Sequence, residues 1–316
     1  MKKTKSFLLF FVLSIVLYGV IQFLITSGML NPFYSNMLIF MAINVILAVS
    51  LHLVIGITGQ FSIGHAGFLA VGAYISAIFT MKLQMPFTVG LIAGGIVAAL
   101  AGLVVGIPSL RLKGDYLAIA TLGFAEIIRI IFLNIEYVGG AAGMQVSHLT
   151  TWTYTFICLF LTILVITNFT NSRHGRAAIS IRENEIAADA MGINTVYYKV
   201  VAFALGSFFA GVAGGLYSHN FYIINPTNFG FLKSFDILIY VVLGGLGSLS
   251  GSVIAAIGLT IVSTFLQDYP ETRMIIYSLV LIIVMLYRPQ GLMGTREITD
   301  LFGKWKNPKG GNSYGK

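Results

Sequence analysis

Residues 37–57, MLIFMAINVILAVSLHLVIGI, decide the fold before any motif is sought. The stretch holds no Asp, Glu, Lys or Arg, and its length is about the 20 residues a helix needs to cross the hydrocarbon core of a bilayer. In lipid a segment must satisfy its own backbone hydrogen bonds, so a helix is the expected form. Working outward, comparable apolar blocks stand near 7–26, 62–81, 87–107, 115–133, 152–169, 199–219 and 272–288, with a more difficult stretch at 234–267. Of the 316 residues, 57% are hydrophobic and only 9% are charged, whereas a soluble domain carries roughly 25% charged residues to solvate its surface. The expected fold is therefore an all-α polytopic membrane protein of about ten helical passes.

The basic residues explain themselves on this reading. The net charge of +8 comes from Lys and Arg at the chain ends and in a few polar gaps, as the positive-inside rule requires of a membrane protein, and no nucleic-acid partner is implied. The basic gaps are the N-terminus, Arg111 with Lys113, the segment 170–199, and the tail after Arg288 with Arg296, Lys304, Lys306 and Lys309. Alternating passes place all of them on one side, the cytoplasmic one. The gaps 27–36, 134–151 and 220–232 lack Lys and Arg and face outward; Lys82 is the exception and can reach the headgroups. The lead Met1-Lys2-Lys3-Thr4-Lys5 before the run 7–26 lacks a small-x-small cleavage site and reads as a retained anchor. The organisation is thus a cytoplasmic tail 1–6, a membrane domain 7–288 containing the cytoplasmic segment 170–199, and a cytoplasmic tail 289–316.

Glycine supplies the next constraint. Pairs four apart, Gly90/Gly94, Gly102/Gly106 and Gly211/Gly215, line small residues along one helix face and let backbones approach closely. Within 234–267 the run GGLGSLSGS (244–252) interrupts the apolar pattern, and Ser234 to Gly247 is too short for a full span. A broken or re-entrant hairpin is expected there, buried in protein, with Gly244, Gly245, Gly247 and Gly251 forming a gate element or a tight turn.

Soluble-enzyme chemistry is missing. There is no G-x-x-x-x-G-K-[ST] phosphate loop and no His/Cys cluster with metal-ligand spacing; His52, His65, His148, His174 and His219 are scattered. The single cysteine, Cys158, excludes an intramolecular disulfide. No catalytic residue, metal or cofactor is expected in this chain.

The most informative polar piece is TNSRHGRAAISIRENEIAADAMGINTVYYK (170–199). Ser180 and Glu183 form S-x-x-E, a capping box, and Gly192 stands where a helix-terminating glycine belongs. Ile186, Ala187, Ala190 and Met191 share one face, while Glu185 and Asp189 set like charges four apart on another. Such a helix is either a solvated loop element or a docking surface for a basic cytoplasmic partner.

Here the chain resembles the permeases of ATP-binding-cassette importers, in which a cytoplasmic helix with E-x-A-A and a following glycine docks into an ATPase subunit; the motif stands as Glu185-Ile186-Ala187-Ala188, Asp189 and Gly192. The blocks GQFSIGHAGFLAVGAY (59–74), GDYLAIATLGFAEIIRI (114–130), SRHGRAAISIRENEIAADAMGIN (172–194), VVLGGLGSLSGSVIAA (241–256) and RPQGLMG (288–294) together are similar to the LivM type of branched-chain amino acid permease. One departure is EYVGGAAGM (136–144), with Val138 where that type usually has Thr. The resemblance implies a multi-subunit importer in the cytoplasmic (inner) membrane: a second homologous permease, two cytoplasmic ATPase subunits that carry the ATP and Mg, and an extracytoplasmic binding protein for Leu, Ile or Val. It assigns ATPase docking to Arg176, Arg182, Glu183, Glu185, Ala187, Ala188, Asp189 and Gly192.

Intramembrane polar groups are the remaining candidates, because they are expensive in hydrocarbon. Glu126 and Arg129, three apart, can pair on one face and either fix helix rotation or border an outward vestibule that attracts a zwitterion; Thr121 and Tyr116 lie on the same helix. Ser62, Gly64, His65 and Gly67 open the third span. On one reading its first N–H groups are open to a carboxylate; on the more prosaic one the glycines serve packing and His65 bonds a neighbour. The translocation candidates are thus Ser62, His65, Tyr116, Thr121, Glu126 and Arg129. The rival readings are a urea or amide permease of the same group, a stand-alone secondary transporter or channel, and a membrane enzyme, the last opposed by the missing acid, base and metal sets.

Overall fold

The computed structural model describes residues 2–109, 112, 114–267, 269–288, 290–294 and 297. Arg111, Lys113, Arg296, Lys304, Lys306 and Lys309 lie outside the described residues. Among those described, twelve α-helices follow in order: α1 (Lys2–Thr26), α2 (Pro32–His52), α3 (His65–Ala77), α4 (Phe87–Ser109), α5 (Asp115–Asn134), α6 (Trp152–Asn171), α7 (Arg173–Glu183), α8 (Glu185–Ala190), α9 (Thr195–Ser218), α10 (Phe231–Gly244), α11 (Leu249–Phe265) and α12 (Pro270–Tyr287). All but α7 and α8 stand where the apolar blocks predict helices, so the fold is all-α and polytopic. The stretches long and apolar enough to cross a membrane are Pro32–Ile57, Phe87–Pro108, Asp115–Asn134, Trp152–Asn171, Thr195–Ser218 and Pro226–Gly244. Length and composition together therefore give six full crossings among the described residues, and the shorter apolar stretches Val12–Thr26, Leu249–Phe265 and Ile275–Val284 stand beside the other expected passes.

The chain continues α2 and α3 through π-helical turns, Leu53–Ile57 and Ile78–Lys82. α2 is predominantly apolar and is the most buried of the spans: Ile43, Ile46, Leu47 and Leu51 are fully buried, as is Leu53 in the turn that follows, which is the expected placement of a helix apolar around most of its circumference. At one end of the bundle a two-residue antiparallel ladder, β1 (Met144–Gln145) with β2 (Ile223–Ile224), pairs Met144 with Ile224 and Gln145 with Ile223 and ties the α5–α6 connection to the segment after α9.

The glycine pairs act where expected. α4 lies against α3 and α9 with almost no side chain between them: a methyl at Gly94 would stand 2.8 Å from the Gly72 carbonyl, one at Gly215 2.7 Å from Leu91, and one at Gly72 would overlap the Gly211 backbone. No rotamer change relieves a clash with backbone, so the helices must separate. Gly72→Ala is expected to destabilise the protein by about 2 kcal/mol, within the usual range for overpacking. Gly258→Ala, with nothing within 4 Å of the added methyl, should be neutral or slightly stabilising through helix propensity. Melting of the detergent-purified protein compares the two; equal melting temperatures would count against direct backbone contact.

The broken hairpin forms, but with different ends. α10 has 14 residues and begins at Phe231 rather than Ser234, and the 3₁₀ turn Pro226–Phe229 precedes it, so 226–244 is long enough to span. Residues 245–248 reverse the chain into α11, whose N-terminus Ser248 caps by accepting from the Gly251 N–H at 3.1 Å. Gly244 and Gly251 face each other across the turn, and a side chain on either would overlap the other's backbone. The segment 290–294 lies over the turn: Leu292 N–H donates to Leu243 O at 2.9 Å and Met293 N–H to Gly244 O at 3.2 Å. Glu297 completes the cover, accepting from Leu249 N–H at 2.7 Å and Ser250 N–H at 3.2 Å, so its carboxylate sits at the positive end of α11.

Candidate functional site

A cavity of about 940 Å³ opens between the first turns of α2, the middle of α5, the end of α9, the start of α10 and the end of α11. Helical spacing supplies its walls: Phe33, Met37 and Phe40 from one face of α2, and Lys233, Asp236 and Tyr240 from one face of α10. Glu126 lies 11 residues into α5, about 16 Å along its axis, so α10 begins opposite the middle of α5 rather than level with its end.

The charged groups of this cavity are organised. Glu126 Oε2 pairs with Arg129 Nε at 2.6 Å, and its Oε1 accepts from Phe231 N–H at 3.0 Å. Gly230, the residue before α10, has no side chain to cap it, so Glu126 caps α10 from another helix, with the sign the helix dipole favours. The Lys233 ammonium lies 5.1 Å from the Phe40 ring centroid and 5.9 Å from that of Tyr217, within cation–π range. It also donates to Asn44 Oδ1 at 3.2 Å, while Asn44 Nδ2 donates to Thr260 at 3.0 Å and so fixes which way the amide points.

Ser62, His65 and Thr121 come together, but as a sealed polar knot. His65 Nε2 is hydrogen-bonded to Ser50 Oγ at 2.8 Å; Thr121 Oγ1 accepts from Ile63 N–H at 3.1 Å, Ser234 Oγ from Ala66 N–H at 3.2 Å, and Ser62 Oγ from Gly64 N–H at 3.4 Å. The Ile63, Gly64 and Ala66 N–H groups at the start of the third span therefore already have acceptors, in keeping with the packing alternative. A helix start buried away from water has to find such partners, and the glycines serve packing: a methyl at Gly67 would stand 2.8 Å from Ala125 Cα. Tyr116, 73% exposed, belongs neither to the knot nor to the cavity lining.

At the opposite end, the segment 170–199 is two helices rather than one. Ser180 turns its hydroxyl back to Ala177 O at 2.8 Å and caps nothing. Ser172 caps α7 by accepting from Gly175 N–H at 3.2 Å, and Asn184, in extended conformation, caps α8 by accepting from Ala187 N–H at 3.0 Å. The expected capping box is thus displaced: Asn184 interrupts the helix in a conformation suited to a cap. Gly192 ends α8 at φ +81°, the left-handed region that favours glycine. Ala188 packs inward, whereas Ile186 and Met191 are 78% and 83% exposed, an apolar knob with no cover. Glu185 pairs with Lys199 at 2.6 Å, which offsets the repulsion expected with Asp189. Arg176 donates to Asn171 O at 3.2 Å on the outside of the segment.

Residues 33–285 match the family model described as branched-chain amino acid transport system / permease component. The chain belongs to this family. Over 262 residues it is 33% identical to the high-affinity branched-chain amino acid transport system permease protein LivM of Salmonella typhimurium, and equally to that of Escherichia coli K12, covering 72% of this chain and 62% of each relative. A probable LivM of Methanocaldococcus jannaschii is 27% identical over 241 residues, covering 66% of this chain and 69% of its own. LivH of Salmonella typhimurium is 32% identical over 164 residues, 51% of this chain and 53% of its own. The chain thus spans about three-fifths of the length of the enterobacterial LivM proteins. No solved structure matches it.

Within this family member, the cavity residues that sequence reasoning missed are Lys233 and Asp236. The signal was present: FLKSFDIL (231–238) carries two charges three apart inside an apolar stretch, and intramembrane ionisable groups are functional candidates by default. Gly244, Gly245, Gly247 and Gly251 all fall at the hairpin turn, as expected, but the cover from 290–294 and Glu297 was not foreseen.

Proposed function

We propose that the chain is a permease subunit of an ATP-binding-cassette importer that passes branched-chain amino acids inward across the cytoplasmic membrane, with both termini inside. Its partners are a second homologous permease, two ATPase subunits docked at α8, and an extracytoplasmic binding protein. The observation that carries this reading is the family match over 33–285, and the cavity agrees with it. Leu, Ile and Val are zwitterions with an aliphatic side chain. Glu126 and Asp236 suit the ammonium, Arg129 and Lys233 suit the carboxylate, and Phe33, Met37 and Phe40 suit the hydrocarbon. Because Glu126 and Arg129 already satisfy each other, cargo gains little net energy by displacing either, which fits a site that must also release it. ATP and Mg belong to the partner ATPase subunits on this reading, in keeping with a sequence that has no phosphate loop.

The test is uptake of radiolabelled leucine into proteoliposomes holding the complete complex, with ATP supplied on the ATPase side. ATP-dependent uptake competed by isoleucine and valine is the expected result. Competition by urea instead would transfer the chain to an amide-permease role, and ion-gradient-driven uptake by the chain alone would overturn the importer reading.

A further inference from the structure

The two helices that wall the cavity meet again beyond it, at their C-terminal ends. α2 finishes in the π-helical turn Leu53–Ile57 and α10 finishes at the hairpin turn 245–248. There Gly56 touches the turn: a methyl on it would lie 2.5 Å from the Leu246 carbonyl oxygen and 2.6 Å from the His52 ring. The Gly56 carbonyl belongs to a helix C-terminus, where no intrahelical N–H is left to bond it. Arg182 supplies the donor, with Nη1 2.6 Å from Gly56 O, a cation at the negative end of the helix. The stem of Arg182 crosses Gly59, held at φ +71°, and a methyl at Gly59 would stand 3.1 Å from Arg182 Cγ. The segment GITGQ (56–60), which leaves the π-helical turn, is thus a seat for one side chain of the docking segment.

A second fastening lies beside it. Gln60 Nε2 donates to Lys199 O at 3.1 Å, and the Lys199 ammonium holds Glu185, the first residue of α8, at 2.6 Å. Arg182 differs from its neighbours in direction: its side chain is 28% exposed, against 66% for Glu183, with which it pairs at 2.5 Å. Assigned to the docking surface by the resemblance, it also reaches back to the bundle.

We propose that Arg182 is a positioning residue that couples the docking segment to the cavity, transmitting displacement of α7 and α8 to the Gly56–Leu246 junction and through it to α2 and α10. The proposal rests on the importer reading above. The physical warrant is that each link is a direct contact: guanidinium to carbonyl, then glycine to turn backbone, then two continuous helices to the cavity walls. A surface contact for the ATPase would leave the protein facing outward; this one does not.

The experiment uses the complete complex in proteoliposomes and compares wild type with Arg182→Gln and Arg182→Lys. Two quantities are read: ATPase subunits retained on purification, and ATP hydrolysed per leucine imported. Arg182→Gln should keep its ATPase subunits while the ATP-to-leucine ratio rises about tenfold, within the usual range of coupling between sites. Arg182→Lys, which still offers an ammonium to Gly56 O, should give an intermediate ratio and covers the case in which glutamine unsettles the fold. Loss of ATPase subunits in Arg182→Lys, or an unchanged ratio in either variant, would overturn the proposal. A readout that needs no cargo separates it from the importer reading. With Cys158→Ser in the background, an environment-sensitive fluorophore at Leu246→Cys should respond to ATP in the complex, and Arg182→Gln should abolish the response. A response preserved in Arg182→Gln rejects the role of Arg182, whereas a wild-type complex that responds to ATP yet imports no branched-chain amino acid rejects the importer reading alone.

Discussion

Replacing Ile186 and Met191 together by serine is expected to release the ATPase subunits from the detergent-solubilised complex while leaving the chain as stable as wild type. Both side chains are largely exposed, so their removal costs the isolated fold almost nothing. Buried in a partner's groove, each would contribute about 1.5–3 kcal/mol; losing both weakens association by roughly 3–6 kcal/mol, which is on the order of a hundredfold to ten-thousandfold in Kd. Size-exclusion of the complex checks it: the chain should elute without its ATPase subunits. Retention of ATPase at wild-type strength would make α8 a solvated element. An electrostatic variant is best placed at Asp189 alone, because charge reversal at Glu185 would also break that residue's own pairing with Lys199.

The second large effect is expected at Glu126, where two substitutions divide structure from transport. Glu126→Ala removes the acceptor for Phe231 N–H and leaves Arg129 without its 2.6 Å partner. Losing the cap costs about 1 kcal/mol, and the partly exposed ion pair adds less than about 1 kcal/mol, so the protein should still assemble. Leucine uptake should nevertheless fall by more than about tenfold, because a lone cation at the cavity lip and a frayed α10 both disturb the cargo route. Glu126→Gln retains an oxygen to accept from Phe231 N–H but not the charge. If it restores thermal stability without restoring uptake, the carboxylate acts on cargo. Uptake at the wild-type rate in Glu126→Gln would reduce Glu126 to a cap for α10.

Much of the architecture was legible because hydropathy is a local property. The apolar stretch 37–57 became α2 with its π-helical turn, and GGLGSLSGS became the turn of a broken hairpin. The glycine pairs of α4 and α9 all lie in close contact with a neighbouring helix, three of the six against its backbone, since a missing side chain at helical spacing lets another helix approach. The pairing of Glu126 with Arg129 was equally readable, being three residues apart on one helix. Errors arose where two local signals competed. Ser180 and Glu183 satisfied the capping-box pattern, yet Asn184 offered a cap one helix further on, and the segment split there.

By itself, then, the sequence determined that this chain lives in lipid as a bundle of helices, which blocks form them, and which small residues lie at their crossings, because the solvent and the covalent chain impose those features residue by residue. Only the tertiary structure decided that Lys233 sits over Phe40 and Tyr217, that Arg182 turns inward to Gly56, and that residues 290–294 lie on the turn after α10. Lys233 and Phe40 are far apart along the chain, as are Arg182 and Gly56. Which side of a helix meets which distant loop is set by packing among all the segments at once, and a linear pattern carries no record of it.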